Sequence, residues 1–251
     1  MIKATNLNIQ FKDENGKLGD ALFRKNVSLT LNPKEIVLLY GSSGCGKTTL
    51  FQMLSHLIDS TSGNISWNEY KIHNLNDSNK QRFKYISMIY SVFNFIETLS
   101  TEDNILLPAL FAKEKDYMNR LKDLTELFDF GNDSNINLKD LLQKDISSLS
   151  NGQKEIITIS RALLMEESSF VFADEMLRSF NEELEKKVWE KVLQYLSKHN
   201  KSLFMITHKK HIGETLKQNV QNNCSSDYKA RIFTIRNQEL IEETNKGQNN
   251  D

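Results

Sequence analysis

One short run constrains this chain more than any average over it. Gly41-Ser42-Ser43-Gly44-Cys45-Gly46-Lys47-Thr48-Thr49 fits the P-loop pattern G-x-x-x-x-G-K-[ST], which carries weight only between a buried strand and a helix. Both flanks are present. Ile36-Val37-Leu38-Leu39-Tyr40 is apolar throughout, as in a strand covered on both faces. Leu50, Leu54, Leu57 and Ile58 return at helical spacing, which predicts a helix from about Lys47. Glycines let the backbone curl so that its N–H groups converge on phosphate oxygens, and the helix N-terminus adds a partial positive charge. Lys47 is expected to reach the β- and γ-phosphates of a nucleotide, and Thr48 to hold Mg²⁺.

The rest of the chain reads as alternating α/β. Ile2 to Phe11 and Val27 to Leu31 alternate apolar and polar residues around the turn Asp13-Glu14-Asn15-Gly16, which predicts an antiparallel pair with one wet face. Short strands are expected at Asn64–Trp67, Tyr85–Ile89, Ser169–Ala173, Ser202–Ile206 and Arg231–Ile235, with helices marked by Tyr117 to Phe128, Ile156 to Leu163 and Leu184 to Leu196. From about 95 to 165 no strong strand pattern occurs, so a helical block is expected there. The polar residues from Glu242 to Asp251 are expected to fray.

Composition narrows the partners. At 251 residues with 39% apolar and 26% charged residues, the chain can bury a full-sized core. Its net charge of -1 gives no bulk field for nucleic acid. Cys45 and Cys224 are too few for a disulfide framework and lack zinc-site spacing. The longest apolar run, Ile105 to Ala112, contains Pro108 and falls far short of the roughly 18 residues that span a bilayer. Met1 to Asn6 show no export signal, so the cytoplasmic side is expected.

Two further strand ends carry polar chemistry. Ser169 to Ala173 runs into Asp174-Glu175; behind a P-loop, one acid there serves the Mg²⁺ shell and the next polarises the attacking water. Leu203 to Ile206 runs into Thr207-His208, placing the histidine within reach of the γ-phosphate from the same rim. No Asn-Lys-x-Asp guanine reader occurs. Cys45, among the phosphate-binding amides, reads either as a thiol activated by the helix N-terminus or as a small residue that fits, the second being favoured.

Leu149-Ser150-Asn151-Gly152-Gln153, ahead of Arg161-Ala162-Leu163, has an N-capping serine or asparagine at a helix start. Lying between the P-loop and Asp174-Glu175, it resembles the signature of ATP-binding cassette (ABC) ATPases. The resemblance runs from about Ile2 to Ile241, with the motifs in family order, and is to the ATPase subunits of the lipoprotein-release and macrolide- or peptide-export kind.

The resemblance implies a P-loop NTPase of class α/β, with a RecA-like core (about 1–90 and 166–241), an N-terminal antiparallel β-subdomain and an inserted helical subdomain (about 91–165). It implies two ATPase subunits, homo- or heterodimeric, with each ATP held between the P-loop of one and the signature of the other. Phe11 would stack on adenine, Ser150, Asn151, Gly152 and Gln153 would meet the opposite subunit's nucleotide, Glu175 would be the catalytic base and His208 the switch histidine. With no span in this chain, a separate permease is the expected partner, at the cytoplasmic face of the membrane, with Tyr90 to Ala112 as its groove. The alternative is a soluble non-transport ABC-type ATPase or a low-turnover nucleotide sensor.

Departures from the family pattern accompany the resemblance. Ser91 stands where a Mg²⁺-contacting glutamine is usual, Met176 to Asn181 replaces Pro-Thr-Ser-Ala-Leu-Asp, Asn151 replaces the first signature glycine, and Glu155-Ile156 replaces Gln-Arg. Retained catalysis with altered coupling is the expectation.

Overall fold

The computed structural model describes residues 1–72, 74–131 and 136–243. The first half of the chain forms β1 (Ile2–Asn8), β2 (Gln10–Lys12), β3 (Leu18–Ala21), β4 (Val27–Leu31), β5 (Glu35–Tyr40), α1 (Lys47–Leu54), β6 (Ser62–Trp67), β7 (Tyr70–Lys71), α2 (Leu75–Tyr85), β8 (Ile86–Ile89), α3 (Thr101–Ala112) and α4 (Tyr117–Leu127). The second half adds α5 (Leu138–Leu141), α6 (Asn151–Leu163), β9 (Phe170–Asp174), α7 (Glu182–Lys198), β10 (Ser202–Thr207), α8 (Lys210–Asn223), β11 (Lys229–Arg236) and β12 (Glu239–Glu242).

The continuous apolar strands form the centre. A six-stranded sheet runs in the order β12-β11-β5-β10-β9-β8, parallel except for β12. Side chains of a strand alternate between faces, and each face here has its own core. Ile36, Leu38, Val171, Ala173, Leu203 and Met205 join the helices α3, α4, α6, α7 and α8. Val37, Leu39, Phe170, Phe172, Phe204 and Ile206 pack against α1 and a second, four-stranded antiparallel sheet in the order β4-β1-β6-β7. On that side Phe51, Phe172 and Phe204 form an aromatic cluster with centroids 5.1–6.4 Å apart. The α/β class with an N-terminal antiparallel sheet holds, and the segment 95–165 carries α3 to α6.

Three expectations need correction. The turn at residues 13–16 does not join the strand from Ile2 to the strand at Val27. It closes a separate hairpin, β2-β3, because β1 ends at Asn8, whose side chain takes the N–H groups of Ile9 and Phe23 and donates to Phe23 O; Val27 to Leu31 then returns to β1. Tyr85 ends helix α2 rather than opening a strand. The loose tail does not begin at Glu242: Glu242 pairs with Phe233 in the β11–β12 ladder and its carboxylate meets Arg231, while Glu243 N–H donates to Ile232 O. Residues 244–251 of that tail lie outside the described residues.

Where the helical layer meets the sheet, one ammonium is enclosed. Lys201, between α7 and β10, is 3% exposed and donates to the carbonyls of Met165 (2.6 Å), Ser168 (2.5 Å) and Glu166 (3.2 Å). Beside it Arg120 pairs with Glu114 and Glu166 and donates to Leu164 O. Burial pushes the Lys201 ammonium down to about 8, still protonated at neutral pH. No helix among the described residues is long and apolar enough to cross a membrane.

Candidate functional site

Strand register brings the chemistry to one rim. Thr207 lies beside Tyr40 and Ile206 beside Asp174 in the parallel pairs of β10 with β5 and β9. The residues that follow these strand ends, Gly41, His208 and Glu175, therefore emerge at one edge, where open α/β sheets bind ligands. Between them lies a cleft of 440 Å³, lined by Lys47, Thr48, Ser91, Asp174, Glu175 and His208, with Ser43, Gly44, Gly46, Thr49 and Leu22 completing it.

The loop geometry follows from its glycines. Gly46 has φ 105 and caps α1, a conformation L side chains rarely adopt, and a Cβ there would sit 3.3 Å from Leu22. Lys47, 8% exposed, donates to the carbonyls of Gly41 (2.8 Å) and Ser42 (2.9 Å), which holds the ammonium over the loop. Cys45 packs against the core under α1, with Sγ 3.0 Å from where a Cβ on Gly41 would be; fitting closely is its visible role.

Opposite the loop, the Ser91 hydroxyl donates to Asp174 Oδ2 at 2.8 Å. Burial raises the Asp174 carboxyl above the ordinary aspartate value, while the bond from Ser91 works the other way. Glu175 has φ 53, and its Oε2 faces three groups from the end of β10: His208 Nδ1 at 2.8 Å, Thr207 Oγ1 at 3.3 Å and the His208 N–H at 3.4 Å. A carboxylate held this way can take a proton from water in the cleft, and the exposed imidazole can exchange it.

The remaining expected residues lie elsewhere. Phe11 is exposed on β2, on the hairpin that leads into Leu22, and is not among the residues lining the cleft. Ser150 caps α6 in a reciprocal box: Gln153 N–H donates to Ser150 Oγ at 3.3 Å and Ser150 N–H to Gln153 Oε1 at 3.0 Å. Ser150 and Asn151 are exposed. Gly152 lies against the Phe180 ring, which a Cβ would approach to 3.5 Å. These four residues do not line the cleft of their own chain.

Leu22, Glu155 and Lys209 carry site contacts that the sequence reading did not assign. Leu22 has no signal beyond an apolar pair with Phe23. Glu155 entered the sequence reading only as part of Glu155-Ile156, the departure from Gln-Arg.

The sequence pattern of the ABC transporter family matches residues 24–178. The chain belongs to the ABC transporter family. Among relatives of this cassette, the macrolide export ATP-binding/permease protein MacB of Campylobacter jejuni is 28% identical over 231 residues, covering 91% of the cassette and 33% of MacB. The cassette thus spans about a third of the length of that relative. The lipoprotein-releasing system ATP-binding protein LolD of Buchnera aphidicola is 28% identical over 212 residues, covering 83% of the cassette and 88% of LolD. In fold, the cassette matches a dimeric post-hydrolysis structure of the ATP-binding cassette MJ0796 bound to ADP and Pi, with TM-score 0.76, 22% identity and coverage of 98% and 100%.

Proposed function

We propose that the cassette is the ATP-binding and ATP-hydrolysing motor of a transporter, working with a separate membrane permease at the cytoplasmic face in export of a drug, peptide or lipoprotein. The observation that carries this is one cleft holding Lys47 on one wall and the Glu175–His208 pair on the other. Relatives named for macrolide export and lipoprotein release support the transport class.

In this reading the phosphates lie on the N–H groups at the start of α1 and against Lys47. Glu175 accepts the proton of the attacking water, and His208 orients the carboxylate. Thr48, Asp174 and Ser91 offer hard oxygens that line the same cleft, a donor set that suits Mg²⁺. That ion, when bound, neutralises charge on the β- and γ-phosphates. Ser91 is shorter than glutamine, yet its bond to Asp174 brings it into the same donor set. Phe11 supplies an aromatic face for adenine. Ser150, Asn151, Gly152 and Gln153 open a helix N-terminus to the surface, and their distance from the cleft in their own chain supports contact with the nucleotide of a second ATPase subunit.

A groove of 310 Å³ lined by Phe83, Met88, Tyr90, Asn94, Pro108 and Arg161 fits a permease segment. Arg161 lies over the Phe95 ring and donates to Asn94 O, which stiffens this wall. Leu106, expected in the groove, belongs to the core instead, at 7% exposed.

Two experiments test the reading. Lys47→Ala is expected to weaken ATP binding by roughly tenfold or more, since it removes the charge meeting two phosphates; calorimetric binding equal to wild type would overturn the assignment of the cleft. Tagged cassette purified from membranes is expected to bring a multi-span permease with it. Phe83→Asp, at the exposed lip of the groove, should lose that permease while hydrolysis by the isolated cassette stays the same. Retention of the permease by Phe83→Asp would rule out the groove.

A further inference from the structure

The backbone just after Glu175 is held from two sides. Glu175 and Leu177 both have positive φ, 53 and 76, a region that non-glycine residues occupy only when their surroundings enforce it. Glu155, on the second turn of α6 and 3% exposed, takes three consecutive amides. The N–H groups of Leu177 (2.5 Å) and Arg178 (3.0 Å) donate to its Oε1, and that of Ser179 (2.8 Å) to its Oε2. From the other side, Lys209 Nζ donates to Leu177 O at 2.8 Å and pairs with Glu185, which also holds His211 Nε2 at 2.6 Å. The Lys209 N–H donates to Thr207 Oγ1 (3.1 Å), whose hydroxyl meets Glu175 Oε2.

We infer that Glu155 and Lys209 are positioning residues: together they clamp Met176 to Phe180, set the direction of the Glu175 carboxylate, and tie it to the start of α6. The inference rests on the hydrolytic reading of the cleft. A carboxylate suits the task because it only accepts, with two oxygens for three donors. An amide at position 155 would turn an NH₂ group toward one of those donors. Ser150 caps the same helix five residues earlier, and Phe180 packs on Gly152. A shift of the α6 N-terminus therefore pulls on the peptide planes directly after Glu175. In a two-subunit sandwich this links the surface that meets the partner's nucleotide to the base acting on the subunit's own.

The test uses the full-length protein with two readouts. Amide exchange followed by mass spectrometry on peptides containing 177–179 should be slow in wild type and roughly tenfold or more faster in Glu155→Ala, once the carboxylate that holds those amides is gone. Steady-state hydrolysis should lose kcat by roughly tenfold in Glu155→Ala, with the KM for ATP within about threefold, because a misdirected base affects chemistry more than binding. Glu155→Gln, which keeps one accepting oxygen, should fall between the two, and this variant decides the matter if the alanine variant does not fold. Lys209→Met should show a smaller loss of kcat. Unchanged exchange in Glu155→Ala overturns the clamp, and a fall in kcat matched by equal losses in ATP binding and thermal stability overturns the positioning role. Absence of hydrolysis in the wild type would instead sink the proposed function, and amide exchange would then decide the clamp alone.

Discussion

Glu175→Gln is expected to lower ATP turnover by a factor of roughly 10² to 10⁴, the range supplied by a positioned general base, while ATP binding persists. The amide keeps the size of the side chain but has no basicity. Oε2 of Glu175 now faces His208 Nδ1 and the Thr207 hydroxyl; an amide oxygen can keep those bonds, so the cleft should retain its shape. With hydrolysis blocked, the two anions shared between subunits persist, and association becomes dependent on ATP. Size exclusion of Glu175→Gln should give a dimer with ATP and Mg²⁺ and a monomer without them. A monomer under both conditions would discard the sandwich, and turnover at the wild-type rate would mean that another group receives the proton.

Lys201→Met should cost stability on a scale of about 1 to 3 kcal/mol, as expected when buried acceptors lose their donor. The methionine fills similar volume but takes the ammonium donor from the carbonyls of Glu166 and Ser168 and leaves Met165 O with only the Ser168 hydroxyl at 3.2 Å; a buried acceptor without its donor costs stability. Urea unfolding should show a lower midpoint with an unchanged slope. The pH dependence offers a second signature. Unfolding returns the ammonium from about 8 to its ordinary 10.5, so the unfolded chain holds an extra proton between those values, and the contribution of this group to stability rises with pH across that window. The methionine variant should lack that rise. A midpoint equal to wild type would show that the three carbonyls find other donors.

Much of this was legible because it is local. The P-loop, the buried strand before it and the helix after it are specified by residue types within some twenty positions, and β5 and α1 begin where those residues place them. The Asp174, Glu175 and His208 strand ends were readable for the same reason, and parallel register gathers them at one rim. What escaped was non-local or weakly patterned. Helix α2 has a polar sequence with little apolar face; α8 begins directly after His208-Lys209 with no capping side chain. The β2–β3 hairpin was absorbed into its neighbour because Asn8, which ends β1 by bonding to Phe23 across 15 residues, looks like an ordinary strand residue. The roles of Glu155 and Lys209 depend on backbone groups of a segment whose left-handed conformations no residue type there announces.

The two faces of the central sheet carry a consequence for its acids. Phe170 and Phe172 point to the core beneath α1, Val171 and Ala173 to the core beneath the other helices. By the same parity Asp174 falls on the side of the P-loop helix, and a regular strand would send the next residue to the opposite side. A period of two cannot deliver neighbouring carboxylates to one cavity. Yet both line it, because the chain leaves the strand conformation at Glu175, where φ is 53. The unusual dihedral is thus the step that converts an alternating pattern into two acids side by side, one for each task.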